Sequence, residues 1–240
     1  MDDNVSRLNK KDKLSSSDKT YFDAIQLLDI TPTSTVLEMG CGFGRSMPFL
    51  STICQSVHAI DISEAMIETA KKINYFENVS YQVSEAEKTP FPDETFHHIV
   101  CFAVFDAVFQ TETLEEMNRI IRLGGSVLIT GKNDTYYDDD DDAYIAELRA
   151  REKEHPNFFS DVHGLLKNLD LFGFKKRIGR FYSRRGDIHE NKFSIDLPKQ
   201  FYEYFLVLEK SDTAQKNIDF LVGDPYSKVW RSKNPKVRNE

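Results

Sequence analysis

The stretch Val36-Leu37-Glu38-Met39-Gly40-Cys41-Gly42-Phe43-Gly44 decides how the rest of the chain is read. Thr35 to Met39 is a short apolar run of the kind that forms a buried strand, and three alternate glycines follow at once. Glycine in that place permits a tight turn and close approach of backbone to a ligand. A dinucleotide fingerprint, G-x-G-x-x-G, requires its third glycine at position 45, which is arginine here. The pattern is instead G-x-G-x-G behind Glu38, whose carboxylate repels a pyrophosphate and suits a cationic group.

On either side of this loop, apolar runs alternate with helical patterns. Ser15, Ser16 and Ser17 offer N-caps to a helix facing inward through Phe22, Ile25 and Leu28, which Thr31-Pro32 ends. Arg45 to Ile53 predicts a helix with Pro48 in its first turn. Val57 to Ile60 reads as a second strand, and Ser63 caps a helix carrying Met66, Ile67 and Ile73. Val79 to Val83 is a third strand and Ile99 to Val104 a fourth. Leu114, Met117, Ile120 and Ile121 repeat at helical spacing, Leu123-Gly124-Gly125 closes that helix, and Val127 to Thr130 is a fifth strand. This alternation predicts an α/β fold with a doubly wound, mostly parallel sheet. Further on, Ala143 to Lys153 reads as an exposed helix, and Val162, Leu165, Leu166 and Leu169 mark an amphipathic one. Phe174 to Tyr182 and Phe201 to Leu208 read as a hairpin closing the same sheet.

With 240 residues, 40% of them hydrophobic, the chain can bury one substantial core. Its net charge of −8 disfavours nucleic acid as a partner and favours a small molecule. Cys41, Cys54 and Cys101 form no C-x-x-C pair, which fits free thiols in a reducing compartment. The opening MDDNVSRLNKKDK has no apolar segment like that of a signal peptide, and no window reaches the length of a membrane span. A cytoplasmic protein without membrane contact is therefore expected. Asp138 to Asp142 lack the glycine and closing glutamate of a calcium loop, so no metal is expected.

Two more acidic positions follow strand ends. Asp61, after the second strand, is placed to take both hydroxyls of a ribose. Ser84-Glu85-Ala86-Glu87 follows the third, where Glu85 or the backbone of Ala86 can read an adenine amino edge. Carboxylates at three adjacent strand ends fit a nucleoside without phosphates. VLEMGCGFGRS resembles motif I of the class I S-adenosylmethionine-dependent methyltransferases. HAIDISEAMI (58–67), SEAEKTPFPDETF (84–96) and LEEMNRIIRLGGSVLIT (114–130) resemble that family's next three stretches, in its order. The chain departs from the family at Phe96-His97, where Phe-Asp is usual, at Leu123 before the two glycines, where proline is usual, and at Glu85, where aspartate is commoner.

The resemblance covers about residues 20 to 131. It implies a Rossmann-like, seven-stranded sheet with its last strand antiparallel and a helical insertion after strand five. It implies S-adenosyl-L-methionine as cofactor, with Glu38, Gly40, Gly42, Asp61, Ile62, Glu85, Ala86 and Cys101 at its site. Residues 1–14 are then a polar tail and 15–240 one methyltransferase domain, in which 131–172 form an acceptor-side insertion and helix.

The acceptor is less constrained. No Pro-Pro-Tyr/Phe motif of amino-base methylation follows strand four, and no Pro-Cys pair of cytosine methylation, since Val100 precedes Cys101. Asp106 is the candidate base or acceptor anchor, with a helix cap as the plainer role. His155 and His163, in or beside the insertion, are candidate catalytic groups; surface or capping roles are the plainer ones. Arg184 and Arg185 are candidates for clamping an anionic acceptor, against a plain solvated face. These features point to methyl transfer onto an oxygen of a small sugar-like or phosphorylated metabolite, such as a surface-polysaccharide precursor. An RNA or protein methyltransferase and a non-catalytic cofactor-binding scaffold are the alternatives.

Overall fold

A computed structural model describes residues 16–234. The expected polar tail (1–14) and the cap at Ser15 lie outside the described residues, as do the side chains of Ser16 and Ser17. Helix α1 (Ser16–Ile25) leads through a 3₁₀ turn (Gln26–Leu28) to β1 (Thr35–Met39). Then come α2 (Met47–Ile53), β2 (Ser56–Asp61), α3 (Glu64–Ile73), β3 (Val79–Val83), β4 (Phe96–Cys101), α4 (Gln110–Ile120) and β5 (Ile121–Asn133). The remainder comprises α5 (Asp141–Glu152), β6 (Phe159–Ser160), α6 (Val162–Lys167), β7 (Phe174–Tyr182), β8 (Glu203–Lys210), β9 (Gly223–Asp224) and α7 (Lys228–Lys233).

The strands run β3-β2-β1-β4-β5, all parallel. Strand β8 then pairs antiparallel with β5 on one side and with β7 on the other. This is the expected doubly wound sheet of seven strands with its last strand antiparallel, and α5 is the helix inserted after β5. Two short strands add to it: β6 extends the end of β5, and β9 pairs with β6.

Alternation along each strand sends side chains to two separate cores. Leu37, Met39, Ile99, Val127, Ile129, Leu206 and Leu208 pack with α4 and α6 on one face. Val36, Val57, Val100, Leu128, Phe205 and Val207 pack with Tyr21, Ile25 and Leu28 of the N-terminal helix and turn on the other. Glu38 shares the parity of Val36, so its carboxylate faces α1.

Four boundaries differ from the sequence reading, each for a local reason. The first helix ends at Asp29, which takes φ 55°, before Thr31-Pro32 is reached. Strand β4 starts at Phe96 and stops at Cys101, because Ala103 turns left-handed (φ 57°) into a 3₁₀ turn over Phe105–Ala107. Leu123-Gly124-Gly125 does not close the helix; it bulges within β5, where the register against β4 slips between Phe96 and His98. Helix α5 is not simply exposed, since Ala143 and Glu147 are buried. Glu147 accepts hydrogen bonds from Tyr136 Oη (3.0 Å) and Ser227 Oγ (2.7 Å), which ties the insertion to α7.

Candidate functional site

The glycine loop connects β1 to α2 and is held from two sides. Gly40 and Cys41 both donate backbone N–H groups to Ile60 O, at 2.8 and 2.9 Å. Asn74, at the end of α3, donates to Phe43 O (2.8 Å) and Gly44 O (3.0 Å). Gly40 has φ 71°, and a Cβ there would stand 2.4 Å from Val104 Cγ2, so the position admits no side chain. At Gly42 the space beyond the backbone is open.

Asp61 links the loop to α3. Its Oδ2 accepts from Gly42 N at 2.8 Å and its Oδ1 from Ser63 N at 2.9 Å. Each oxygen thus already accepts one backbone hydrogen bond and keeps a second lone pair for a hydroxyl.

Glu38 is turned inward. It is only 3% exposed. Tyr21 Oη donates to one of its oxygens and Ser46 Oγ to the other. Burial pushes its carboxyl up to about 7, against the pull of these two hydrogen bonds and of Arg45. It therefore joins α1, β1 and the start of α2; the expectation was that it accepts hydrogen bonds from a cationic ligand portion or orders water around it.

Gly40, Asp61, Ile62 and Ala86 line a cavity of about 90 Å³ together with Ile60, Ser84, Glu87, Val104, Ala107 and Val108. Among the described residues, no lysine or arginine lines it, so none of these supplies a counter-charge to a phosphate there. Ile62, Glu87 and Ala107 also line a larger cavity of about 800 Å³, whose other walls include Glu85, Phe109, Phe158, His155 and Trp230. Ile62 is 72% exposed and Phe109 61%, two apolar side chains flanking the shared mouth. The carboxylates of Asp61 and Glu85 and the bare backbone of the glycine loop lie at this pair of cavities, with Arg151 in the wall of the larger one.

Cys101, expected at the cofactor, lies instead wholly within the α4-side core and lines neither cavity. Burial raises its thiol pKa, followed by the charge of Asp106. Asp106 sits in the 3₁₀ turn after β4, where its Oδ2 is 2.5 Å from Lys132 Nζ. Both line a third cavity, of about 260 Å³, with Phe102, Ala103, Thr130, Gly131, Ile188, His189, Glu203 and Tyr204. It opens beyond the ends of β4 and β5 and before the start of β8.

The remaining candidates are not gathered there. His155 is exposed and lines the large cavity, whereas His163 is exposed on α6 and lines none of the three. Arg184 is held bidentately by Asp139, at 2.7 and 3.2 Å, over the ring of Tyr137. Arg185 donates its backbone N–H to Asp140 Oδ2 (2.9 Å) and its guanidinium to Tyr202 Oη (3.4 Å). The aspartate run thus occupies the guanidinium of Arg184 and the backbone N–H of Arg185, besides capping α5 through Asp140. Lys132 and Glu203 were missed by the sequence reading; their one signal is a charged residue at a strand end, and their opposition appears only once β5 and β8 are paired.

Residues 37–129 match the family of the methyltransferase domain. That segment is a methyltransferase domain. The chain is 29% identical over 101 residues to an uncharacterized methyltransferase, YodH, of Bacillus subtilis, covering 41% of this chain and 43% of that one. It is 27% identical over 114 residues to the ubiquinone/menaquinone biosynthesis C-methyltransferase UbiE of Geotalea daltonii, covering 44% of this chain and 48% of that one. The chain thus spans less than half the length of these curated relatives. An S-adenosylmethionine-dependent methyltransferase from Mesorhizobium loti superimposes with a TM-score of 0.64 at 14% identity, over 81% of this chain and all of the other (100%). At that identity the likeness establishes the fold, the Rossmann-like fold of these methyltransferases, beyond the matched segment. The methyltransferase domain implies S-adenosylmethionine as the cofactor, in agreement with the phosphate-free slot beside the glycine loop.

Proposed function

We propose that this chain is an S-adenosylmethionine-dependent methyltransferase whose acceptor is a small polar molecule, methylated at oxygen. The observation that carries this reading is the 260 Å³ cavity lined by Asp106, Lys132, His189 and Glu203, which opens past the ends of β4 and β5. Gly40, Gly42, Asp61, Ile62, Glu85 and Ala86 are the residues for the cofactor, which supplies an electrophilic methyl group when bound. Asp61 accepts from the ribose, Ala86 and Glu85 face the adenine edge, and Ile62 with Phe109 covers the ring. The fixed backbone of the loop costs no reorganisation on binding, which favours a precise line of attack. Asp106, oriented by Lys132, is the acceptor anchor. A bulky apolar acceptor in this cavity has six polar or charged side chains to desolvate, those of Asp106, Thr130, Lys132, His189, Glu203 and Tyr204, which disfavours it.

Calorimetry with S-adenosylmethionine and with its demethylated product, S-adenosylhomocysteine, tests the first half of the reading. Both are expected to bind the wild type. Asp61→Ala removes the acceptor of two backbone hydrogen bonds, each worth about 1.5–3 kcal/mol when the partner is charged, and is expected to weaken both ligands at least tenfold. An absence of binding by either ligand defeats the proposal. Methyl-tritiated cofactor incubated with deproteinised, RNA-free extract tests the second half: label is expected in small molecules, and label only in added protein or RNA fractions refutes it.

A further inference from the structure

Glu203 opens β8 and lies in register with Lys132 of β5 on one side and Tyr182 of β7 on the other. Residues paired in this way project to the same face of the sheet, so Lys132 is the cation set directly opposite Glu203, while the charge of Arg185 also acts on it. Lys132 does not pair with it. Its Nζ lies 2.5 Å from Asp106 Oδ2 and 2.5 Å from Asn157 Oδ1. Glu203 Oε2 is left buried without a hydrogen-bond partner. Such an atom costs about 1–3 kcal/mol unless something satisfies it. Glu203 also lines the cavity in which the proposed function seats the acceptor.

The surroundings of this carboxyl are mixed. Burial pushes it up to about 7, and Asp106 pushes the same way; the charges of Arg185 and Lys132 and the N–H of Gly186 oppose them. His189 and Tyr204 face the same cavity, and Tyr202 lies beside Arg185. Arg184 is held by Asp139 through its guanidinium, whereas Arg185 gives Asp140 only its backbone N–H and turns its guanidinium to Tyr202. Among the residues that line the cavity, an anion entering here meets Glu203 and an Asp106–Lys132 pair already neutralised, and Arg185 is not in that lining.

We propose that Glu203 is the acceptor-binding carboxylate of this cavity, and that the acceptor is a neutral or cationic molecule bringing an O–H to Glu203 Oε2. This rests on the methyltransferase reading and deepens it. As the acceptor lone pair forms its bond to the methyl carbon, the carbon–sulfur pair leaves with the sulfur, and the acceptor proton passes to Glu203. Asp106, whose charge is spent on Lys132, orients and does not take the proton.

The test combines labelling with binding. Water-soluble carbodiimide with glycinamide modifies protonated, reachable carboxyl groups, and peptide mass spectrometry locates the adduct. At pH 7, labelling is expected at Glu203, while Glu38, enclosed by Tyr21 and Ser46, stays unlabelled. Ethanolammonium chloride at millimolar levels is expected to suppress the Glu203 adduct, and potassium phosphate at equal ionic strength is expected to leave it. Carbon NMR of glutamate carboxyls is expected to show two resonances titrating near neutrality, those of Glu38 and Glu203, of which one is lost in Glu203→Gln, with Glu203→Asp retaining a raised titration. No adduct at Glu203, an adduct that ethanolammonium does not suppress, suppression by phosphate, or a Glu203 resonance titrating in the usual carboxylate range each overturns the proposal. Calorimetry with S-adenosylhomocysteine on the wild type separates the two levels: absent binding defeats the methyltransferase reading, whereas binding with failed labelling defeats only the role of Glu203.

Discussion

The two halves of the sheet solve opposite problems. From β1 to β4 the polar groups at the strand ends are mostly satisfied by near neighbours in sequence: Asp61 by Gly42 and Ser63, and Glu38 by Ser46 and Tyr21. From β5 to β9 the polar groups find partners across long separations. Glu147 meets Ser227, Lys132 meets Asp106 and Asn157, and Asp139 meets Arg184. The first half is a preformed slot for one ligand. The second is a network whose members were set by how distant segments happen to meet, and it leaves Glu203 Oε2 over.

The largest effect that sharpens this contrast is expected at Gly40. Gly40→Ala forces an L-residue into φ 71° and drives Cβ into Val104. Strain of that kind costs about 1–3 kcal/mol before the clash is counted. A fall in Tm of several degrees with loss of S-adenosylhomocysteine binding is expected, and an alanine variant that melts and binds as the wild type does would show that the loop is not rigid.

Next in size is a pH effect in the first half. Glu38 titrates at about 7 in the folded chain against an ordinary value of 4.5. A raised carboxyl binds its proton more tightly when folded, so the folded chain holds more protons than the unfolded one between these values. Stability then falls as pH rises from about 4.5 to about 7, by roughly 2–3 kcal/mol. Glu38→Gln is expected to flatten that part of the curve in urea titrations across pH. An unchanged slope would mean that Glu38 is charged in the fold.

The smallest effect belongs to Arg184. Its pair with Asp139 is exposed on both sides, at 40% and 78%, and exposed pairs of this kind contribute little. Arg184→Ala is expected to leave Tm and cofactor binding within error. A large loss of methyl transfer in this variant would restore the anionic acceptor and blur the difference between the halves.

How far the residues alone reveal this depends on the reach of each interaction. The strands, Ser63 as a cap, and the pairing of the glycine loop with Asp61 follow from local pattern, because their partners lie within one strand–helix unit. Cys101 misleads because a small residue after an apolar run looks the same whether it faces a ligand or the core; the parity of β4 decides, and Ala103 ends that strand three residues before the expected Val104. Arg184 misleads because an aspartate 45 residues earlier pairs with its guanidinium, and Arg185 turns its guanidinium to Tyr202 while its backbone meets Asp140. Glu203 is invisible because its character comes from what Lys132 does in another strand.

The antiparallel seating of β8 between β5 and β7 sets a condition on synthesis. Until Glu203–Lys210 has left the ribosome, the flank of β5 from Ser126 to Lys132 has no neighbour. Contacts this far apart in sequence form slowly, and an unpaired strand edge invites association. The same insertion that completes the sheet therefore makes the nascent chain most vulnerable just after its glycine loop can form, and a stall or truncation before residue 203 would leave the donor slot assembled on a sheet with an open side.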